Sequence, residues 1–114
     1  MPDRRYPIGP FVDTAPHSPA QRLALIDRIA ALPARFRDKA FSLSERQLDT
    51  PYRPGGWTAR QVIHHVPDSH MHCLLRFKFA LARDGASVLG YPEELWAELP
   101  DYRHTPIALS LDLL

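Results

Sequence analysis

Apolar residues recur every three to four positions along the first long stretch after residue 17. Four of them fall on one face of a helix: Leu25, Ile29, Leu32 and Phe36. Together with a capping box at Ser18-Pro19-Ala20-Gln21, this period predicts a helix from about Pro19 to Lys39. Pro33 lies inside the pattern and should bend the helix near residues 29–32, because proline removes a backbone donor.

A second periodic stretch predicts the longest helix, from about Thr58 to Arg83. Thr58 and Gln61 form its capping box, and Gly85 suits the left-handed position that follows a helix end. The residues expected to pack on its apolar faces are Val62, Ile63, Val66, Leu74, Phe77 and Leu81.

The remaining segments are short. A turn of helix is predicted at Ser44–Gln47, a short helix at Pro92–Leu99 and the start of another in the apolar run 107–114. No segment has the alternating period of a strand, so the fold class is all-α. Residues 1–17 hold four prolines and no helical period. We interpret 1–17 as an irregular arm, pinned by Tyr6, Ile8 and Phe11 onto a helical domain over 18–114.

Composition limits the function classes. With 114 residues, 45% of them hydrophobic and 24% charged, the chain is expected to form one globular domain. The net charge is +1 and no basic block is present, which argues against nucleic acid as a partner. No apolar run is long enough to span a membrane, and the N-terminus lacks a signal core. A single cysteine, Cys73, further favours the cytoplasm, and its apolar neighbours indicate a buried small residue rather than a nucleophile.

Four of the six histidines lie in the segment 64–72 of the longest helix. At about 100° per residue, His65, His72 and Arg76 share a polar stripe with Ser69, and Asp68 lies at its edge. Neutral imidazole is a good ligand for zinc, nickel, copper or iron, and a carboxylate can orient it. His65 and His72 are about 10 Å apart along the axis, too far to share one ion. The spacing therefore allows one metal ligand from this helix, or ordinary packing and surface histidines.

Three segments together resemble a known family. They are RYPIG at 5–9, LDTPYRPGGWT at 48–58 and RQVIHHVPDSHM at 60–71. They closely resemble the YfiT-like branch of the DinB-like superfamily, whose members are known as metal-dependent hydrolases or bacillithiol transferases. The resemblance implies a four-helix bundle with a divalent ion, zinc or nickel, held by three histidines between helices. The second histidine of the HH pair, His65 here, is one of them.

The resemblance places the other two ligands in an H-x-x-x-H pair that this chain lacks. We therefore expect the chain to be the N-terminal half of the bundle, with its inward apolar strip covered in a homodimer or by a missing second half. The expected reaction is hydrolysis or transfer of a low-molecular-weight thiol to a small-molecule substrate. Asp68 is expected to orient His65 or accept a proton, and Arg76 to hold an anionic group. The alternative is a catalytically incomplete domain that only binds metal or self-associates.

Overall fold

Residues 3–114 are described by a computed structural model, and the regular structure in that range consists of helices alone. In chain order they are α1 Pro19–Phe41, α2 Glu45–Leu48, α3 Ala59–Ala82, α4 Glu93–Trp96, α5 Pro100–His104 and α6 Ile107–Leu113. The predicted all-α class is confirmed. Within the same range, no helix is both long and apolar enough to cross a membrane.

The helix starts follow from local hydrogen bonds. Each of the first three helices begins with a complete capping box, at Ser18, Ser44 and Thr58, as predicted. For α3, the Gln61 amide donates to Thr58 Oγ1 at 3.1 Å and the Thr58 amide donates to Gln61 Oε1 at 2.9 Å. An N-cap side chain contributes typically about 1 kcal/mol to a helix, so these boxes define the starts of α1, α2 and α3. Gly85 takes the left-handed φ of +66°, but it lies two residues beyond the C-cap Arg83, so it shapes the turn after α3 and does not occupy the predicted capping position.

The core lies where α6 packs against both α1 and α3. Its buried members are Ala40, Leu48, Ile63 and Leu111, with Phe36, Leu43 and Ile107 packed around them. An ion-pair network ties α2 to α3 beside this core. Arg60, whose side chain is 13% exposed, donates to Asp49 at 2.7 Å and to Glu45 at 2.6 Å. These contacts fix the orientation of α3, the helix that carries the histidines.

Much of the apolar surface predicted to be buried lies outside this core. On α1, Leu25 is 38% exposed and Ile29 is 52% exposed. On α3, the large apolar side chains exposed beyond His72 are Leu74, Leu75, Phe77, Phe79 and Leu81. The radius of gyration is 16.1 Å, against about 13 Å for a compact domain of this length. Two parts of the helices, the N-terminal half of α1 and the C-terminal half of α3, therefore lack a covering layer within residues 3–114.

Three further expectations are wrong. Tyr6, Ile8 and Phe11 do not pin the arm, since Ile8 is 97% exposed and Phe11 is 91% exposed. Cys73 is exposed because it lies on the uncovered half of α3. The helix predicted at Pro92–Leu99 is shorter than expected, α4 at Glu93–Trp96, and α5 follows it where no helix was predicted. Pro100 begins α5 at a position where proline is favoured.

Candidate functional site

His65 is partly buried on α3 and is held on two sides. Its Nδ1 lies 3.2 Å from the hydroxyl of Tyr91, and its ring makes an edge contact with Trp57 at 4.9 Å between centroids. Burial lowers the pKa of His65, and the negative charges of Glu93 and Asp68 only partly oppose this. The ring is therefore neutral at pH 7, which is the protonation state that a metal ion requires.

A second imidazole joins this group through the same tyrosine. The rings of His72 and Tyr91 are stacked, with centroids 3.9 Å apart and planes 18° apart. His72 Nδ1 donates to the main-chain carbonyl of Asp68 at 2.8 Å, and Trp96 makes an edge contact with the His72 ring at 5.4 Å. We call the five rings the imidazole–aromatic cluster: Trp57, His65, His72, Tyr91 and Trp96. The predicted stripe is confirmed to this extent, because both histidines contact one side chain.

Asp68 faces a different partner from the one expected. The hydroxyl of Tyr102, which is 2% exposed, donates to Asp68 Oδ2. Burial and the Asp68 carboxylate raise the pKa of Tyr102, so its hydroxyl keeps its proton. Among the residues that the structure describes, the Asp68 carboxylate bonds to no histidine ring. Among residues 3–114, the group that contacts His65 Nδ1 is the Tyr91 hydroxyl and not the Asp68 carboxylate.

His64 lies about 100° around α3 from His65 and is buried, with 3% of its surface exposed. Its Nδ1 is 2.7 Å from Ser110 Oγ on α6, and within residues 3–114 its Nε2 has no hydrogen-bond partner. Burial foremost lowers the pKa of His64, and Arg60 adds to this. The Thr105 carbonyl raises that pKa without completing a hydrogen bond to Nε2. His64 is thus a neutral residue at the junction of α3 and α6 and lies outside the imidazole–aromatic cluster.

Arg76 lies one turn beyond His72 and is exposed. It lines an open groove of about 350 Å³ together with His72, Leu75, Phe79 and the segment 87–90. Arg76 forms no ion pair with any residue in the range 3–114. The predicted stripe therefore continues from the imidazole–aromatic cluster to the Arg76 guanidinium, which lies at the edge of an apolar groove.

The residues described by the structure offer one candidate metal ligand and no complete metal site. Residues 3–114 contain no group of three His, Cys, Asp or Glu side chains placed to hold a metal ion. A catalytic zinc commonly takes three protein ligands. His65 suits the role of one of them, because it is neutral and partly buried and its Nε2 makes no hydrogen bond with residues 3–114.

Two residues of this region were missed by sequence reasoning. Tyr91 and Tyr102 supply the hydroxyls that contact His65 and Asp68, from 26 and 34 residues away along the chain. Neither tyrosine lies in a periodic segment that would have joined it to α3. The one signal in the sequence was the family resemblance, which beyond its three main segments also covers Tyr91-Pro92-Glu93 but gives Tyr91 no role.

Comparisons with known proteins place the chain among related sequences. A family model described as the DinB superfamily matches residues 28–114. Relatives from Bacillus cereus (strain B4264) and Bacillus anthracis (strain A0248) are each 46% identical over 114 residues. Each is named "Putative metal-dependent hydrolase", and the match covers 100% of this chain and 65% of the relative. The chain thus spans less than two thirds of these curated relatives.

A solved structure is similar over nearly the whole chain. YfiT from Bacillus subtilis, described as "a probable metal-dependent hydrolase with an unusual four-helix bundle topology", superposes with a TM-score of 0.91 at 38% sequence identity. The superposition covers 96% of this chain and 63% of YfiT. The helices described above therefore correspond to part of a four-helix bundle.

Proposed function

This chain belongs to the DinB superfamily as a YfiT-like member, and from that membership we propose that it contributes part of the active site of a metal-dependent hydrolase. The observation that supports the proposal is the state of His65. Its imidazole is neutral and partly buried, and it lies between Trp57 and Tyr91 on the longest helix. These are the properties of a metal ligand whose orientation is set before the ion binds.

The cofactor we propose is a divalent ion, zinc or nickel, with His65 as one ligand. Such an ion, when bound, supplies a Lewis acid that activates water for hydrolysis. Since residues 3–114 offer no second and third donor beside His65, we propose that these come from a second copy of the chain or from the further length that the relatives possess. The uncovered apolar side chains of α1 and α3 support a partner of this kind, because large apolar patches are rarely left exposed.

Two other residues of α3 complete the proposal for a small-molecule substrate. Asp68 uses Oδ2 to accept the Tyr102 hydroxyl, which leaves Oδ1 to accept a proton during the reaction. Arg76 is exposed and borders an apolar groove, so it would bind an anionic group on a substrate with an apolar part. Transfer of a low-molecular-weight thiol to an electrophile is the finer possibility within the same site. Product analysis with an ester and with a thiol–electrophile pair separates the two reactions.

The metal-binding step is tested by calorimetric titration of Zn²⁺ and Ni²⁺ into the full chain. We expect His65→Gln to weaken binding by roughly tenfold or more, as loss of metal-site groups typically does. His70→Gln is the matched control, because His70 lies on the same helix but its Nδ1 donates to the Val66 carbonyl at 2.9 Å, outside the cluster. Equal affinity in the wild-type and His65→Gln proteins would contradict the proposal, and no binding by the wild type would exclude a second copy of the chain as the source of the other donors.

A further inference from the structure

We propose that Tyr91 is a positioning residue that selects which nitrogen of His65 is free to bind a metal ion. The inference rests on the proposed function only in taking His65 as a ligand. The observation that supports the inference does not involve a metal ion: Tyr91 Oη lies 3.2 Å from His65 Nδ1. The phenol oxygen approaches one ring nitrogen alone, so it distinguishes the two nitrogens of the imidazole.

The distinction matters because a neutral imidazole has one protonated and one unprotonated nitrogen. When Nδ1 carries the proton and donates to Tyr91 Oη, the lone pair is on Nε2, which can then coordinate an ion. When the phenol donates to Nδ1 instead, Nε2 carries the proton and cannot coordinate. A metal-binding histidine normally donates its second N–H to a nearby acceptor, and this fixes the tautomer and ring orientation. Among residues 3–114, Tyr91 Oη is the one group within hydrogen-bond distance of His65 Nδ1.

Tyr91 can perform this role because it is itself held against α3. Its ring stacks on His72 with centroids 3.9 Å apart, and it contacts Trp96 at 4.7 Å. His72 cannot rotate freely, since its Nδ1 donates to the Asp68 carbonyl. The position of the Tyr91 hydroxyl is therefore tied to the same helix that carries His65, two turns away. His72 therefore acts as the platform for Tyr91.

The test is the tautomer of His65 in the metal-free chain, read from two-bond ¹H–¹⁵N correlations of the imidazole rings at about pH 8, where histidine is neutral. His65→Gln identifies the His65 signals. We expect wild-type His65 to be mainly protonated on Nδ1. Tyr91→Phe keeps the stacked ring and removes the acceptor, and the ratio of Nδ1–H to Nε2–H should fall roughly fivefold, which corresponds to about 1 kcal/mol.

Tyr102→Phe is the matched control, since it removes a hydroxyl that bonds to Asp68 and leaves the ratio at His65 unchanged. A wild-type His65 protonated on Nε2 overturns the proposal even if Tyr91→Phe does not fold. A ratio that Tyr91→Phe leaves unchanged, or that Tyr102→Phe lowers equally, also overturns it. None of these results depends on metal binding. Equal metal affinity in the wild-type and His65→Gln proteins, with the expected tautomer present, would refute the proposed function and leave the inference about Tyr91 intact.

Discussion

Replacing Tyr102 with phenylalanine isolates the hydrogen bond that holds Asp68. Tyr102 is 2% exposed, and its ring lies 5.6 Å from that of His64 between centroids. Its hydroxyl donates to the Asp68 carboxylate. Phenylalanine keeps the ring and its packing, so Tyr102→Phe removes one O–H···O⁻ bond and little else.

The expected cost follows from the burial of the two partners. A hydrogen bond to a charged group contributes roughly 1.5–3 kcal/mol. Asp68 is only partly buried, so water can replace part of the lost donor, and we expect the lower end, about 1.5 kcal/mol. For 114 residues the entropy of unfolding near the midpoint is about 0.24 kcal/mol/K, so the melting temperature should fall by roughly 6 °C.

Thermal and urea unfolding followed by circular dichroism measure this change. Tyr52→Phe is the control, because Tyr52 is 45% exposed and its loss should cost less than about 0.5 kcal/mol. In a double-mutant cycle with Asp68→Ala, the coupling between the two sites should reach about 1 kcal/mol. Additive effects in the cycle, or a Tyr102→Phe protein as stable as the Tyr52→Phe control, would refute the reasoning.

The same bond has a signature at alkaline pH. Burial and Asp68 raise the pKa of Tyr102 above its reference value of 10.0, so the unfolded chain loses this proton first. The contribution of the Tyr102 hydroxyl to the free energy of unfolding is complete below about pH 10 and is lost as the pH rises further. Stability should therefore fall above pH 10, and the fall should be shallower in Tyr102→Phe. It should not vanish, because burial also raises the pKa of Tyr91.

Two further changes test the core and the buried histidine. Leu111→Ala should destabilise the chain by about 3 kcal/mol in urea unfolding, since Leu111 is 4% exposed at the contact of α6 with α1 and α3. Leu109 lies on the same helix but is 57% exposed, so Leu109→Ala should cost far less. Equal losses of stability in the two variants would place the core elsewhere. Because burial lowers the pKa of His64 from 6.5, its contribution is complete above about pH 6.5 and is lost as the pH falls. His64→Gln should flatten that acid slope, whereas an unchanged slope would assign it to other groups, of which His65 is one.

The parts of the fold that could be predicted depend on groups close together in the sequence. A capping box needs residues three apart, and the boxes starting at Ser18, Ser44 and Thr58 all form. A hydrophobic period, by contrast, shows which face of a helix is apolar and not whether another element covers it. Leu25 and Ile29 share the predicted face of α1 but are exposed, while Phe36 on the same face reaches the core. Covering depends on where α6 crosses, and no local pattern contains that information.

In the candidate site too, the contacts within one helix could be predicted and the long-range contact could not. His65 and His72 could be placed on one stripe because helix geometry relates residues a few turns apart, and their shared contact with Tyr91 agrees with it. The identity of that contact could not be predicted, since Tyr91 follows an irregular segment with no period. The consequence is chemical as well as structural. The spacing of the histidines identifies His65 as a candidate ligand. Tyr91, 26 residues away, lies against Nδ1 of that ring and so bears on which nitrogen is free to bind a metal ion.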